Sequence, residues 1–148
     1  MPKFRTVDDV LDFAIARELE AYRFYLDLAR LATRDEVRSA IRRLATDELQ
    51  HSIHLKAVKA GEVAFASDEQ VGSLNIEETL TEAPPKPDMT YADLLVVAMK
   101  KEQAAFRLYT NLASIAAGNA VRDVLKKIAH EEAEHKLRLE IEYDWVTF

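Results

Sequence analysis

The chain contains two copies of one sequence pattern, placed 84 residues apart. When residues 6–57 are aligned with 90–141 without a gap, 17 of the 52 positions are identical. Self-similarity at a fixed offset indicates that one structural unit occurs twice. The fold is therefore limited to two similar units and the segment that joins them.

Each copy has the pattern of a helical hairpin. Apolar residues across 7–32 recur at steps of three and four, the spacing of one face of an α-helix. Thr6 followed by Asp9 is a start signal of the capping-box type, and Gly61 is a typical residue at a helix end. Only a short turn separates the first two helices, so they form an antiparallel hairpin. We predict helices over residues 7–32, 35–60, 90–117 and 120–145, with a turn at Gly118-Asn119.

The whole chain, residues 1–148, is predicted to form one all-α domain: a hairpin over 6–61, a crossover over 62–89 and a hairpin over 90–146. The crossover is polar and includes three prolines close together, which cannot continue a helix. At about 1.5 Å per residue the helices are roughly 40 Å long, and the crossover is long enough to span that length. We therefore expect the second and third helices to run parallel.

Composition excludes several functions. A formal net charge of −6 argues against binding nucleic acid, which needs clustered basic residues. The chain has no cysteine, which excludes disulfides, thiolate metal sites and iron–sulfur clusters within it. We find neither a secretion signal nor a run long enough to span a membrane, so we expect a cytoplasmic protein that does not bind membranes.

Each copy carries one isolated glutamate on its first helix and a Glu-x-x-His motif on its second. Residues three apart lie on one face of a helix, so each motif offers two ligands side by side. Counted from the turn, the isolated glutamate lies about as far before it as the motif lies after it, so all these side chains should meet in one layer. The six residues are Glu18, Glu48, His51, Glu102, Glu132 and His135.

Four buried carboxylates without counter-charge would repel one another and lose their hydration. Two divalent cations, four carboxylates and two neutral imidazoles sum to zero charge. Carboxylate and imidazole ligands without thiolate suit iron or manganese, and zinc is able to compete. The layer is therefore predicted to be a site for two metal ions.

The segments 14–25, 44–51 and 128–135, which contain these residues, resemble the rubrerythrin branch of the ferritin-like superfamily. The resemblance covers nearly all of the chain except the crossover. It implies a ferritin-like four-helix bundle with two iron ions, and an oxidoreductase that reduces hydrogen peroxide or dioxygen.

Two departures from the rubrerythrin pattern change the expected chemistry. Rubrerythrins carry a four-cysteine iron site that delivers electrons, so this chain is expected to need an external electron-donor protein. They also have a further glutamate ligand associated with the third helix, whereas Met99 and Ala105 lie one turn either side of Glu102 here. The centre therefore resembles a simpler one with six ligands.

Other interpretations stay open. The chain is alternatively a ferroxidase or iron-binding protein for iron handling, or a metal-binding bundle without catalysis. A homodimer is expected, in which the slack crossover would allow the hairpins to exchange between chains. Tyr25 and Tyr109 are either core aromatics or hydrogen-bond partners of a ligand glutamate. We expect surface positions for the remaining histidines and for three acidic neighbours of the motifs: His54, His130, Glu20, Glu131 and Glu134.

Overall fold

The structure is a computed structural model that describes residues 4–61, 71 and 85–148. Within these residues it has four α-helices: α1 (Val7–Leu31), α2 (Asp35–Ala60), α3 (Tyr91–Ser114) and α4 (Asn119–Thr147). The predicted crossover over 62–89 lies largely outside the described residues. No helix in the described part of the chain combines the length and the apolar character that crossing a bilayer requires.

The first helix of each hairpin begins with the predicted capping box, and the two boxes are alike. Thr6 accepts a hydrogen bond from the Asp9 backbone N–H at 3.0 Å, and the Asp9 carboxylate accepts one from the Thr6 N–H at 3.1 Å. Thr90 and Asp93 make the same two bonds at 3.1 and 3.0 Å. Both boxes satisfy backbone donors that the first turn leaves unpaired.

The turn of the second hairpin differs from the prediction. Helix α3 ends at Ser114 rather than near residue 117, and α4 begins at Asn119 with Gly118 as its N-cap. The Ile115 N–H donates to the carbonyl oxygen of Leu112 at 3.2 Å, so this bond spans three residues, whereas an α-helical bond spans four. The chain leaves the helix at this narrower turn, and Ile115 is buried there at 7% exposed.

The predicted topology is confirmed. Helix α1 packs mainly on α2, and α3 on α4. Between hairpins, Tyr25 of α1 contacts Glu102 of α3, and Glu18 of α1 contacts Tyr109 of α3, so higher numbers on α1 face lower numbers on α3. Helices α1 and α3 are therefore antiparallel. Because α1 is also antiparallel to α2, helices α2 and α3 run parallel.

Two apolar clusters fill the bundle, one toward each end. The first includes Val10, Ala14, Leu55, Leu108, Leu112, Leu125 and Ala129. The second includes Tyr25, Leu28, Ile41, Ala45, Leu95, Ala98 and Leu139. On each of the four helices, residues of one cluster precede the predicted ligand positions and residues of the other cluster follow them. Packed apolar layers therefore enclose a polar layer at mid-height.

Candidate metal centre

The structure brings all six predicted residues together in this polar layer. Each is at most 3% exposed. Their ligand atoms form two groups, within each of which all atoms lie within 4.8 Å of one another. One group consists of Glu18, Glu48, His51 and Glu132, and the other of Glu48, Glu102, Glu132 and His135. Glu48 and Glu132 belong to both groups, so the arrangement has one terminal Glu–His pair on each side and two glutamates in the middle.

Both imidazole rings turn Nδ1 toward the carboxylates. His51 Nδ1 lies 3.1 Å from Glu132 Oε1 and 3.4 Å from Oε1 of both Glu18 and Glu48. His135 Nδ1 lies 3.1 Å from Glu48 Oε1 and 3.5 Å from Oε1 of Glu102. Each nitrogen is thus close to several oxygens at once and is not directed at one of them. A nitrogen that shared a metal ion with those oxygens would have the same arrangement.

Buried polar atoms without a hydrogen-bond partner concentrate in this layer. They are Glu48 Oε1, His51 Nδ1 and Nε2, Glu102 Oε2, Glu132 Oε1 and His135 Nδ1. Leaving such an atom unpaired costs about 1–3 kcal/mol, so six in one layer need an explanation. Cations at the layer would supply the missing partners, and the oxygen and nitrogen donors match iron, manganese or zinc. The residues therefore fit metal binding.

Without cations, the carboxylates compete for protons. Burial, helped by the charge of Glu48, raises the pKa of Glu18 well above its usual range. Burial and the charges of Glu102 and Glu18 do the same to the pKa of Glu132. For Glu102, burial and then the Glu48 charge raise the pKa to about 7. These acids resist ionisation unless positive charge lies beside them.

The imidazoles supply that charge in the metal-free chain. Burial lowers the pKa of His51, but the nearby Glu18 and Glu48 carboxylates outweigh it and raise the pKa to about 10. For His135, burial is likewise outweighed, here by Glu102 and Glu48, and the pKa is raised to about 11. Burial alone would raise the pKa of Glu48, but its closeness to both imidazoles lowers it. Cations entering the layer would displace these protons, since metal-ligating imidazoles are neutral.

The two predicted tyrosines lie in the core and also contact glutamates, each across the hairpins. Tyr25 Oη donates to Glu102 Oε1 at 2.5 Å, and Tyr109 Oη donates to Glu18 Oε1 at 2.7 Å. Burial, followed by the charge of the contacted glutamate, raises the pKa of both phenols well above 10.0. Each phenol therefore stays protonated and holds one oxygen of a terminal glutamate.

Two further carboxylates contact the outer ring nitrogens, and sequence reasoning missed both. Asp47 Oδ2 lies 2.9 Å from His135 Nε2, and Glu131 Oε1 lies 3.5 Å from His51 Nε2. The expectation that Glu131 is a surface residue is wrong in this respect, since its side chain is only 33% exposed and turns to the ring. A carboxylate behind a ligating imidazole fixes the ring and its tautomer. The signal was available, because Asp47 and Glu131 are 84 residues apart and occupy equivalent positions in the two copies.

The remaining expected surface residues do lie at the surface. His54 is exposed. His130 and Glu134 are 74% and 53% exposed and form an ion pair at 2.7 Å, while Glu20 is 56% exposed. None of these four belongs to the two ligand groups found among the described residues.

A cavity of about 40 Å³ reaches the layer from between α1 and α3. All four glutamates line it, together with Tyr25 and Tyr109. Arg17 and Lys101 line it as well, and both are partly exposed at the bundle surface. One water needs about 10–15 Å³ measured this way, so the cavity has room for a few small molecules beside the carboxylates.

The helices and the layer of four glutamates and two histidines define a ferritin-like bundle with a candidate carboxylate metal centre. The family model of rubrerythrin matches residues 9–140, and the chain belongs to the rubrerythrin family. Among solved structures, it is similar to a protein of Thermotoga maritima described as a candidate ferritin-like diiron-carboxylate protein. The two are 21% identical over 97% of this chain and 98% of the other, with a TM-score of 0.72, which shows a shared fold. No curated protein matches the chain.

Proposed function

We propose that this protein is a di-iron oxidoreductase that reduces hydrogen peroxide or dioxygen with electrons from an external donor protein. The observation that carries the proposal is the layer of six unpaired buried polar atoms at the end of an open cavity. A purely structural polar layer would satisfy its atoms internally and would not need access from outside. Membership of the rubrerythrin family supports the same chemistry.

Six residues would hold the two ions. Glu18 and His51 would bind one ion, Glu102 and His135 the other, and Glu48 and Glu132 would contact both, because they belong to both groups. In the ferrous state, iron bound by these residues would supply the two electrons that, with two protons, reduce hydrogen peroxide to two waters.

The surrounding residues would keep the six ligand side chains in place while the charge of the centre changes. Tyr25 and Tyr109 each hold one oxygen of a terminal glutamate, which limits how that carboxylate can rotate. Asp47 accepts a hydrogen bond from the outer nitrogen of His135 and so directs Nδ1 inward.

Access to the layer favours a small oxidant. The cavity admits molecules of a few heavy atoms, and the apolar clusters on both sides exclude larger ones from the core. The chain has no cysteine and therefore no thiolate redox centre of its own, which is why the proposal requires a separate donor.

Metal analysis followed by a single-turnover reaction tests the proposal. Protein loaded anaerobically with ferrous iron should hold two ions per chain and should oxidise them rapidly when one equivalent of hydrogen peroxide is added. Glu48→Gln should reduce both the number of ferrous ions bound per chain and the rate of their oxidation, because Glu48 belongs to both groups. Glu134→Gln, which changes an exposed acid of the second motif, is the matched control and should behave as the unchanged protein.

Wild-type protein that binds fewer than two ions would refute the di-metal centre. Protein that binds two ferrous ions but leaves them ferrous for minutes after peroxide addition would refute the oxidoreductase and leave a binding protein.

A further inference from the structure

The cavity between α1 and α3 lies on the pseudo-two-fold axis that relates the two copies. Among the described residues that line it, each one except Phe13 has its equivalent, 84 positions away, in the lining as well. Glu48 and Glu132, which belong to both ligand groups, form one such pair. A cavity lined by both members of each pair is centred on the axis. It therefore approaches the polar layer at the middle of that layer.

Two hydrogen bonds between α1 and α3 frame the cavity. Tyr109 Oη donates to Glu18 Oε1 at 2.7 Å, and Tyr25 Oη donates to Glu102 Oε1 at 2.5 Å. All four residues line the cavity. Glu18 and Tyr25 lie two turns apart on α1, so the bonds join the helices at two heights separated by roughly 10 Å. The opening between α1 and α3 lies between these two bonds.

Two alanines at equivalent positions lie across from each other in this opening. Ala21 and Ala105 each follow the terminal glutamate of their helix by three residues and precede the tyrosine by four. Such spacing puts them on the same helix face as the bonded residues. The two hydrogen bonds fix the register of α1 against α3, and this register puts Ala21 level with Ala105 to within about one residue. Both alanines line the cavity and are half-buried.

Buried carboxylate oxygens behind this opening indicate that it leads to a ligand site. Glu48 Oε1, Glu102 Oε2 and Glu132 Oε1 have no hydrogen-bond partner among the described residues, and all three residues are at most 2% exposed. The three glutamates line the cavity, whose volume is about 40 Å³. The opening therefore gives small molecules a way to unpaired polar atoms in the core.

Side-chain volume at the two alanines decides how much of the opening is free. Larger apolar side chains, Phe24 and Leu108, line the cavity one turn further along each helix. Protein interiors are close-packed and leave few voids larger than a water molecule. Leucine has three carbon atoms more than alanine, so leucine at both positions would fill most of a space that holds only a few waters. Alanine at positions 21 and 105 therefore keeps the opening free.

We propose that Ala21 and Ala105 are specificity-determining residues that admit hydrogen peroxide or dioxygen to the centre and exclude alkyl hydroperoxides. This inference rests on the proposed function, which supplies the centre and its oxidant. Hydrogen peroxide and dioxygen have only two heavy atoms each. A branched alkyl group would have to pass between two helices that the framing hydrogen bonds hold together. The alanines thus act through the space they leave and not as ligands.

Binding of nitric oxide to the protein loaded with ferrous iron tests the opening without catalysis. Nitric oxide is a neutral molecule of two atoms, and its rate of binding is measured by stopped-flow absorption. Ala21→Leu and Ala105→Leu should each slow this binding about three- to ten-fold, and the double variant roughly ten- to hundred-fold, because an overpacked opening admits a ligand only when the helices move apart. Ala21→Ser and Ala105→Ser each add one atom and should stay within about two-fold of the wild type.

Ala16→Leu is the matched control. Ala16 is exposed on α1 and is not among the described residues that line the cavity, so this variant should bind nitric oxide as the wild type does. Iron content and helix content are measured for every variant. If the double leucine variant binds fewer than two ions, the two single leucine variants decide by the same comparison.

A second measurement tests the size limit. Hydrogen peroxide and tert-butyl hydroperoxide are each added to the ferrous wild type, and each oxidation rate is divided by the rate for ferrous iron in a small soluble chelate. This division removes the difference in intrinsic reactivity between the two oxidants. The protein should then disfavour the alkyl hydroperoxide by about ten-fold or more.

The outcomes separate this inference from the proposed function. Nitric oxide binding at the wild-type rate in iron-loaded leucine variants would overturn the role of the alanines, as would equal slowing in Ala16→Leu. A wild type that discriminates between the hydroperoxides no more than the chelate does would overturn the size limit. Wild-type protein that binds nitric oxide but stays ferrous with hydrogen peroxide would overturn the proposed oxidoreductase, and the nitric oxide rates would still decide the role of the alanines. Wild-type protein that binds no iron would overturn both.

Discussion

The two carboxylates behind the imidazoles occupy equivalent positions but are not equally close. Asp47 lies 2.9 Å from His135 Nε2, within hydrogen-bond distance, whereas Glu131 lies 3.5 Å from His51 Nε2, beyond the usual range. Removing Asp47 should therefore weaken binding of the ion next to His135 more than removing Glu131 weakens binding of the ion next to His51.

Removing a carboxylate behind a ligating imidazole typically lowers metal affinity about 10- to 100-fold, or about 1.4–2.7 kcal/mol. The Asp47 side chain is 41% exposed, so water screens part of its charge. We expect Asp47→Ala to lower metal affinity about 10- to 30-fold, at the low end of this range. Glu131→Ala removes no short contact, so we expect it to lower metal affinity about three-fold or less. Asp47→Asn should lie in between, because the amide oxygen still accepts a hydrogen bond but carries no charge.

Competition between the protein and a coloured zinc chelator measures both stepwise affinities. In Asp47→Ala one step should weaken and the other should stay near the wild-type value. Glu134→Ala, an exposed acid one turn from Glu131, is the control and should change neither step. A loss in Glu131→Ala that equals or exceeds the loss in Asp47→Ala would refute the reasoning from distance.

Three further predictions concern the metal-free protein. Tyr25→Phe leaves an oxygen of Glu102 unpaired and should lower the free energy of unfolding in urea by about 1–3 kcal/mol with unchanged helix content; a loss below about 0.5 kcal/mol would contradict this. The folded pKa values of His51 and His135, about 10 and 11, lie above the unfolded value of 6.5. Their stabilisation is complete below about pH 6.5 and is lost as the pH rises toward 10, so the unfolding midpoint should fall between about pH 6 and 9, and metal should abolish this fall. Thr90→Ala removes a capping hydrogen bond and should cost about 1 kcal/mol, seen as a thermal midpoint about 2–4 °C lower.

Much of the fold and of the candidate site could be predicted from the sequence because the chain is duplicated. Helix period and capping signals located α1 and α2 to within a residue or two, and counting from the turn placed Glu18 level with Glu48 and His51. These features depend on local geometry and on the rise per residue, which are the same in every helix. Their role as metal ligands stays a prediction.

Features that depend on how the hairpins rotate against each other could not be derived in this way. Both tyrosines were expected either in the core or beside a ligand glutamate, but their reach across the bundle to the other copy is decided by side-chain packing between α1 and α3. The contact of Glu131 with His51 has the same origin. The early end of α3 depends on the burial of Ile115, which a helical period of apolar residues does not reveal.

The hydrogen bonds of Tyr25 and Tyr109 run in opposite directions between the two copies, so neither hairpin supports its own terminal glutamate. Two separate but identical hairpins could form the same bonds, because the tyrosine of each hairpin would donate to the terminal glutamate of the other. A hairpin built only from the first copy should therefore be able to assemble a symmetric centre as a two-chain complex. Joining the copies in one polypeptide removes that symmetry requirement, and differences such as Asp47 against Glu131 or Glu20 against Ala104 can then give the two halves separate tasks.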